Sequence, residues 1–419
     1  MMYFVKNKML VESSGKVVKT VSDEVFLTAD LAGNLFDYGK YVEAVRSNLS
    51  QHVVRLFLLN ENEVPMQDVS EYLLSGNLSY NYQQGQTHSL NLTLYNHDGF
   101  WITHPIRGNL WSKTKFRLDI GVYFNGTVYW KKCGIFAVKE NNISGQPEDT
   151  ITLQLYDKFA LLDKKISGTI DSELKIPVGT NLVSAIKLCL ACDSGGGIAY
   201  DYKPVLFETD LSDVTTPYTI TKSPNTSIGE VIIDLANMVS CDVFYNENGN
   251  LTLRPGIDEL PLDKRGVSWF YTEDELLYST PSIGIDYASM INKIIVKGAI
   301  ENGKQFKGIA ENKIPWSQSN VNFNRTNTEI IEDSNITSDD LAKERAEYEL
   351  QKRIISYMKT GFKSVFIPHL MPKDVVVWNY KKQGVVNEKY VISSLSFSLG
   401  DGYLTDIEMS NVSEVNLRV

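Results

Sequence analysis

Three stretches in the first half of the chain alternate polar and apolar residues with a period of two. They span residues 89–94, 116–120 and 150–155. Strict alternation is typical of strands that have one buried face and one solvated face. Turn-forming sequences such as Asn125-Gly126 separate the stretches. The pattern predicts an antiparallel β-sandwich or barrel of about five or six strands in residues 51–168.

A helical period replaces this alternation in residues 169–265. Thr180 or Asn181 can cap a first helix, whose apolar stripe is Leu182, Ile186, Cys189 and Leu190. Ser227 and Glu230 form a capping box for a second helix, whose apolar face is Ile228, Val231, Ile232, Leu235 and Val239. Asn248-Gly249 between two apolar runs indicates a hairpin. The segment is predicted to be a small α/β domain.

The last part of the chain, residues 266–419, returns to strand patterns around one helix. Thr337 or Ser338 caps a helix that we expect over about 338–360, ending at Gly361; its apolar stripe is Ala342, Ala346, Leu350 and Ile354. Strands are predicted at 292–296, at 375–377 and in a hairpin over 395–409. This part is a second β domain, and residues 1–50, with mixed signals, are an N-terminal arm.

Composition narrows the class of protein. With 419 residues the chain is too long for one ordinary domain, and 43% hydrophobic and 22% charged residues are typical of globular proteins. No stretch approaches the roughly 18 apolar residues of a membrane span. The first residues are too charged for a signal peptide, so we expect a soluble protein assembled in a cytoplasm.

The net charge of −10 argues against a protein that grips nucleic acid. Such proteins carry a basic patch, because phosphates attract cations. No run of Lys and Arg here exceeds two residues. We therefore expect weak or no binding to duplex DNA.

The sequence Cys189–Gly197, CLACDSGGG, is the stretch that most resembles a reactive or metal-binding motif. A Cys-x-x-Cys zinc site needs two further ligands, usually a second pair. The two cysteines also close a helix, where the dipole does not lower a thiol pKa. Because no Gly-Lys-Ser/Thr follows, a phosphate loop is disfavoured as well. Packing of a helix end is the favoured interpretation.

Other candidate groups have equally ordinary explanations. His97, Asp98 and His104 are candidate metal ligands, but Asn-x-Asp-Gly also makes a polar hairpin tip. Asp339-Asp340 opens a helix and Asp258-Glu259 lies in a turn. Catalytic partners that meet from afar need no motif. We predict no catalytic, cofactor-binding or metal-binding residue, and we expect no enzyme.

Several motifs, taken in order, resemble those of phage tail hub proteins. Residues 130–138 resemble the strand W-x-x-x-G-x-F-x-V of that family, and residues 152–159 resemble its strand T-L-x-L-x-D-K. Residues 246–255, NENGNLTLRP, are similar to its insertion-domain hairpin. Further matches follow in order at 292–298, AKERAEYELQKR, PHLMPKDVVVW and YVISSLSFSLGDGYLTDIEMS. The likeness covers about residues 50–415. It is strongest to baseplate hubs of contractile tails, followed by tail-associated proteins of long flexible tails that are built on the same hub.

The resemblance implies a mainly β fold with an α+β insertion: two tail-tube-like antiparallel β-barrels or sandwiches, a small α/β domain and one long helix. It implies a homotrimer whose six barrels match a sixfold tube above and a threefold spike below. The implied partners are the tail tube or tube-initiator protein, the central spike, the tape measure protein and baseplate wedge proteins. DNA passes through without specific binding, no cofactor is needed, and the protein is located in the virion tail baseplate.

Six neutral polar residues on the predicted strands are candidates for the lining of such a conduit. They are Ser89, Asn91, Thr93, Ser394, Ser396 and Ser398, which either face a lumen or face solvent. Two other functions remain open: a tail-associated protein with cell-wall hydrolase activity, and a carbohydrate receptor-binding protein suggested by the 11% aromatic content.

Overall fold

The structure is a computed structural model. It describes the chain except residues 1, 13, 15, 28–37, 48–50, 82–84, 86, 97–98, 102–109, 111–113, 145–148, 192–199, 256–265, 273–280, 286, 288–289, 302, 316, 318, 324, 355–357, 401–403 and 412–419.

Strands dominate the described residues, which confirms the prediction of a mainly β fold. In chain order they are β1 (Tyr3–Lys6), β2 (Met9–Glu12), β3 (Val17–Thr20), β4 (Asp23–Leu27), β5 (Gln51–Leu59), β6 (Pro65–Asp68), β7 (Leu73–Asn81), β8 (His88–Tyr95), β9 (Lys115–Phe124), β10 (Thr127–Ser144), β11 (Thr150–Asp157), β12 (Leu174–Ile176), β13 (Leu206–Phe207), β14 (Ile220–Lys222), β15 (Cys241–Tyr245), β16 (Leu251–Pro255), β17 (Trp269–Thr272), β18 (Ser282–Ile285), β19 (Lys293–Glu301), β20 (Lys304–Glu311), β21 (Thr328–Glu332), β22 (Met358–Val365), β23 (Val375–Tyr380), β24 (Val385–Leu399) and β25 (Leu404–Asn411).

Four α-helices are interspersed among these strands. They are α1 (Tyr38–Arg46), α2 (Leu182–Ala191), α3 (Ile228–Met238) and α4 (Asp339–Ile354).

Two sets of five strands repeat one order of pairing. In the first set, called unit 1, β7 pairs with β8, β8 with β11, β11 with β10, and β10 with β9. In the second set, called unit 2, β18 pairs with β22, β22 with β25, β25 with β24, and β24 with β23. All eight pairings are antiparallel, and the equivalent strands follow one another in the same order along the chain.

The two units also share the register of their strands. The β10–β11 pairing shifts between Val138 and Glu140, and the β24–β25 pairing shifts between Ile392 and Ser394. One constant offset in residue number converts each β24–β25 pair into a β10–β11 pair. The β9–β10 and β23–β24 pairings contain a second irregularity at matching places. Because β-bulges set register locally, matching bulges indicate one architecture built twice.

The two units are joined into a single sheet. Strand β7 of unit 1 pairs antiparallel with the second half of β24, from Gly76↔Leu399 to Asn81↔Ser394. Eight strands therefore lie side by side in the order β10–β11–β8–β7–β24–β25–β22–β18. Within the described residues the strand pairings form no closed ring, so of the predicted barrels or sandwiches no closed barrel is seen there.

The N-terminal residues add strands to unit 1. β1 runs parallel to β5, which pairs with β9, and β4 runs parallel to the first half of β10. Helix α1 buries Tyr41, whose hydroxyl lies 2.7 Å from Nδ1 of His369 near unit 2. The described residues of the N-terminal segment therefore contact both units.

Buried side chains in the described residues form one large core and three smaller ones. The large cluster includes residues of both units, from Met2 to Met409. A second cluster lies within residues 159–253 around α2 and α3, and a third within residues 290–354 around α4. These two clusters come from segments inserted between strands of the shared sheet. The third smaller cluster joins the N-terminal strands to unit 1 and includes Val5, Leu10 and Trp130.

The helix starts predicted for the inserted segment are confirmed. Asn181 Oδ1 accepts a hydrogen bond of 3.1 Å from the Ser184 amide before α2, and Ser227 caps α3 by accepting 3.0 Å from the Glu230 amide. The Glu230 carboxylate binds Lys222, 3.0 Å away. The hairpin at Asn248-Gly249 is also confirmed, as β15 and β16 pair antiparallel on either side of it.

Helix α4 is shorter than predicted. Ser338 caps it and the predicted stripe is buried, but the helix ends at Ile354, and Gly361 lies inside β22. Residues 359–364 alternate between buried and accessible, with Thr360 and Phe362 buried. This alternation is that of a strand, and β22 pairs with β25 over seven residues. Pairing within the sheet therefore outweighs the charges at 352–359 that favour a helix end.

Candidate functional site: a polar sheet face across both units

All six polar residues predicted as candidates for a lumen lie on one face of the shared sheet. Cross-strand partners point to the same face, since side chains alternate along a strand. Ser396 pairs with Ser79, and Ser79 pairs with Ser89. A second row runs from Ser398 through Asn77 to Asn91. Ser394 and Thr93 occupy the same face two residues away on their strands.

This face, called the polar face, covers the four central strands. On β11, β8, β7 and the second half of β24 its residues are hydroxyl or amide side chains, with Leu74 exposed beside the β7 bulge. The polar face consists of Thr152, Gln154, Tyr156, Ser89, Asn91, Thr93, Asn77, Ser79, Asn81, Ser394, Ser396 and Ser398.

Hydrogen bonds connect the two units across this face. Ser396 Oγ lies 3.2 Å from Ser79 Oγ and donates to Asn77 Oδ1 at 3.1 Å. Ser79 also donates to Asn77 Oδ1, at 3.0 Å. Ser394 Oγ donates to Glu408 Oε2 at 3.3 Å. The polar face is therefore a connected layer of polar side chains and not a set of isolated hydroxyls.

Charged side chains are confined to the two margins of the polar face. At one margin Lys139 Nζ donates to Gln154 Oε1 at 3.3 Å, and Glu140 is exposed beside it. At the other margin Lys363 lies 3.5 Å from Asp406. Since both signs occur at each margin and the centre is neutral, the face offers phosphates no cationic track.

A buried ionic cluster joins unit 1 to the inserted α/β segment. Lys158 is 1% exposed at its side chain and lies 2.9 Å from Glu63 and 2.8 Å from Asp201. Its third hydrogen bond, 2.8 Å, goes to the carbonyl of Gly249 in the β15–β16 turn. An ammonium group has three donors, so Lys158 is fully satisfied.

Further cations surround Glu63. Lys115 lies 2.6 Å and Lys203 2.8 Å from its carboxylate. Burial alone would raise the pKa of Glu63, but the charges of Lys158 and Lys115 outweigh it and lower that pKa to about 2. Tyr245 donates 2.8 Å to Asp201. These contacts tie the inserted segment to unit 1.

Asp157 and Lys158, which belong to the motif at residues 152–159, therefore have structural roles. Asp157 accepts from the amides of Thr87 and His88, each at 2.8 Å, and from the amide of Phe159 at 3.0 Å. These bonds fix the end of β11 against the start of β8. The resemblance in residues 152–159 thus reflects a structural joint.

A second joint fixes the inserted segment to unit 2 and α4. Asp242 on β15 is bound by Lys373 and accepts 3.2 Å from the Tyr348 hydroxyl on α4. Burial would raise the pKa of Asp242, but the Lys373 charge beside it holds that pKa below its usual range.

The cysteines show no activated thiol among the described residues. Cys189 is buried on the core face of α2, as the packing interpretation expects. Burial raises the pKa of the Cys133 thiol to about 12 and that of the Cys241 thiol to about 11. Such thiols stay protonated near neutral pH and are poor nucleophiles and metal ligands.

Several sequence candidates lie outside the described residues. They are His97, Asp98, His104, Cys192, Gly195, Gly196, Gly197, Asp258 and Glu259. Asp339 is described, and its Oδ1 accepts 2.9 Å from the amide of Lys307 on β20. Among the described residues no group of three His, Cys, Asp or Glu side chains is arranged to hold a metal ion. No helix in the described part is long and apolar enough to cross a membrane.

Sequence reasoning missed both ionic joints, and only the family resemblance, not the residue patterns, implied that two tube-like units repeat. Lys158, Asp201 and Asp242 are ordinary charged residues in the sequence, and their partners are 40 or more positions away or on other elements. The repeat is nearly invisible in the letters, since β10 reads KENNIS where β24 reads SSLSFS and only the final Ser is shared. Strand pairing reveals it.

Comparison with known proteins identifies the fold. The structure matches the 43 kDa tail protein of prophage MuSo2 from Shewanella oneidensis with a TM-score of 0.59 and 16% identity, covering 86% of this chain and 100% of that one. It matches a tail protein from Neisseria meningitidis MC58 with a TM-score of 0.57 and 10% identity, covering 86% and 98%. This chain has a phage tail-protein fold. The resemblance predicted from sequence is confirmed at that level.

A third solved structure of the same fold comes from a protein complex. A chain of the Francisella PdpA-VgrG complex matches with a TM-score of 0.51 and 11% identity, covering 91% of this chain and 56% of that one. No protein-family model matches the sequence, and no curated protein matches it in sequence.

Proposed function

We propose that this chain is a structural virion protein, the central hub of a phage tail baseplate. It joins the tail tube to the central spike and forms part of the DNA conduit. The fold it shares with solved tail proteins supports this proposal. In that setting it works without catalysis or cofactor, and it is located in the tail baseplate after assembly in the host cytoplasm.

The observation that carries the proposal is the repetition of units 1 and 2 within one chain. Their strands share order, direction and bulge positions. A ring of three chains then presents six equivalent modules, which is the symmetry needed between a sixfold tube and a threefold spike. We propose that units 1 and 2 are the tube-like parts of the domains at 51–168 and 266–419. Residues 169–265 are the insertion domain, and residues 1–50 the arm.

The polar face is the proposed lining of the conduit. It continues across the β7–β24 pairing, so a single chain supplies an unbroken neutral strip. Neutral hydroxyl and amide side chains hydrate well and give DNA phosphates no cation to bind. DNA then passes without being held. The proposed protein partners are the tube or tube-initiator protein, the spike, the tape measure protein and wedge proteins.

Lysine substitutions test whether the polar face surrounds DNA. We expect the wild-type protein to show no sub-micromolar binding to a short linear duplex in a low-salt fluorescence-anisotropy titration. Asn91→Lys combined with Ser396→Lys adds six cations to the lumen of a trimer. This variant is expected to bind DNA with a steep salt dependence.

The matched control places two lysines on the exposed small sheet, as Gln305→Lys with Thr328→Lys. It carries the same net charge and is expected to bind much more weakly, since its cations do not surround the duplex. Equal binding by the two variants contradicts the lumen assignment. Tight, salt-sensitive binding by the wild type contradicts a neutral conduit.

A further inference from the structure

We propose that neighbouring copies of this chain associate by pairing β18 of one copy with the second half of β10 of the next. The ring itself rests on the proposed hub function. The strand pairing between copies, with its residue register, is inferred from the internal repeat and goes beyond that function.

Both strand segments have an open edge in the described structure. The pairing of β9 with β10 stops at Lys115↔Ala137. After Ala137, β11 is the one described strand that pairs with β10, so the other edge of β10 is open. Residues 139–142 of this half-strand are all exposed. At the opposite end of the sheet, β18 pairs with β22 on one side, and no other described strand pairs with its second edge. Open edges of this kind present unpaired backbone amides and carbonyls.

The internal repeat shows which strands belong together. β18 is the equivalent of β7, and β10 is the equivalent of β24, by pairing order and by chain order. Within one chain β7 already pairs with the second half of β24. The corresponding pair, β18 with the second half of β10, is separated by the full width of the eight-strand sheet. Seven spacings of about 4.8 Å amount to roughly 34 Å along the sheet, so the partner must be a second copy.

The direction of the strands agrees with this pairing. Each of the seven pairings across the eight-strand sheet is antiparallel. β10 and β18 therefore run in opposite directions. When copies are placed side by side in the same orientation, β18 meets β10 antiparallel, as β7 meets β24 within the chain. The sheet continues from copy to copy without a change in pattern.

The register follows from the same equivalence. The offset that converts β24–β25 into β10–β11 carries Ser396 to Asn142. In unit 1, Ser79 lies opposite Ser89; the equivalent position in unit 2 is Gly284, opposite Lys359. Because Ser79 pairs with Ser396, Gly284 of one copy lies opposite Asn142 of the next.

Charge at the open edge explains why it remains unpaired before assembly. Lys139 and Glu140 occupy the positions that are Ser393 and Ser394 in β24. Charged residues on an edge strand oppose indiscriminate pairing with other chains. The contact between copies is therefore weaker than the β7–β24 contact within a chain, and it forms when the tube or spike partner brings copies together.

Cysteine cross-linking tests the register directly. A disulfide requires Cα atoms within about 7 Å, so Asn142→Cys with Gly284→Cys cannot close inside one chain. Under mild oxidation of the trimer, alone or with its tube or spike partner, we expect covalent dimers and trimers on a non-reducing gel. Each single variant should stay at the mass of one chain.

Two further cysteine pairs serve as controls, one within the chain and one out of register. Ser79→Cys with Ser396→Cys, whose hydroxyls lie 3.2 Å apart, should close within the chain without raising its mass. Asn141→Cys with Gly284→Cys is out of register and should cross-link poorly. A trimer by light scattering that gives no cross-link above this control overturns the strand pairing and leaves the hub function standing. A strict monomer or a dimer under every condition overturns both.

Discussion

At the scale of single residues, buried charged side chains connect the inserted α/β segment to the shared sheet. Lys158 and Asp242 each lie where the inserted segment meets the shared sheet, and each has a partner from the other side. Buried ion pairs add little net stability, but removing one partner leaves the other charge unpaired. These residues therefore fix the position of the insertion.

Substitution of Lys158 tests this role. Lys158→Met leaves the carboxylates of Glu63 and Asp201 without their shared ammonium, and we expect a loss of about 3–5 kcal/mol in the free energy of unfolding. Lys6→Met removes an ion pair of 2.7 Å whose side chains are about half exposed, and is expected to cost under about 1 kcal/mol. Urea denaturation of both variants measures the difference. Similar small losses would mean that the Lys158 cluster does not stabilise the joint.

Polar residues of the candidate site were predictable from alternation alone. Asn91, Thr93, Ser396 and Ser398 each lie between two apolar residues, and Ser89 continues the same alternation, which places all five on a solvated face. Their partners on β7, among them Asn77 and Ser79, were not predictable. Cross-strand neighbours depend on pairing between β7 and β24, more than 300 residues apart in sequence.

At the scale of elements, helix α4 packs against its small sheet through a glycine. A Cβ atom on Gly308 of β20 would lie 2.1 Å from the carbonyl carbon of Ala342. No side chain fits in that space, so the helix backbone can approach the strand only at glycine.

Gly308→Ala is therefore expected to destabilise this packing by about 2–3 kcal/mol, because backbone atoms must move to admit the methyl group. Gly266→Ala is the control, since nothing lies within 4 Å of its Cβ position. Thermal denaturation followed by circular dichroism compares the two. If Gly308→Ala melts with the control, the close approach of α4 to β20 is incorrect.

Element boundaries show where sequence patterns are insufficient. Caps and stripes predicted the starts of α2, α3 and α4, because those signals act within one turn of helix. The predicted end of α4 at Gly361 was wrong. Lys352, Arg353 and Lys359 favour a helix C-terminus locally, but residues 358–365 form a strand that pairs with β25. Long-range pairing determined that boundary.

At the scale of the whole molecule, one chain contains two units of the same strand order and register, joined in a single sheet. Unit 2 differs from unit 1 in the segment between β18 and β22, which contains the small sheet and α4. Residue patterns predicted two β regions, and the family resemblance implied that both are tube-like. Their shared strand register could not be predicted, because the backbone pairing repeats while most side chains do not. The proposed ring uses this equivalence, with α4 on its outside.

Electron cryomicroscopy of the purified chain with its tube or spike partner tests the hub proposal most directly. We expect a closed ring of three copies, with the polar face of β11, β8, β7 and β24 turned toward the axis and α4 at the perimeter. A strict monomer, a dimer, or a ring with Asn91 and Ser396 on its outer surface would contradict the proposal.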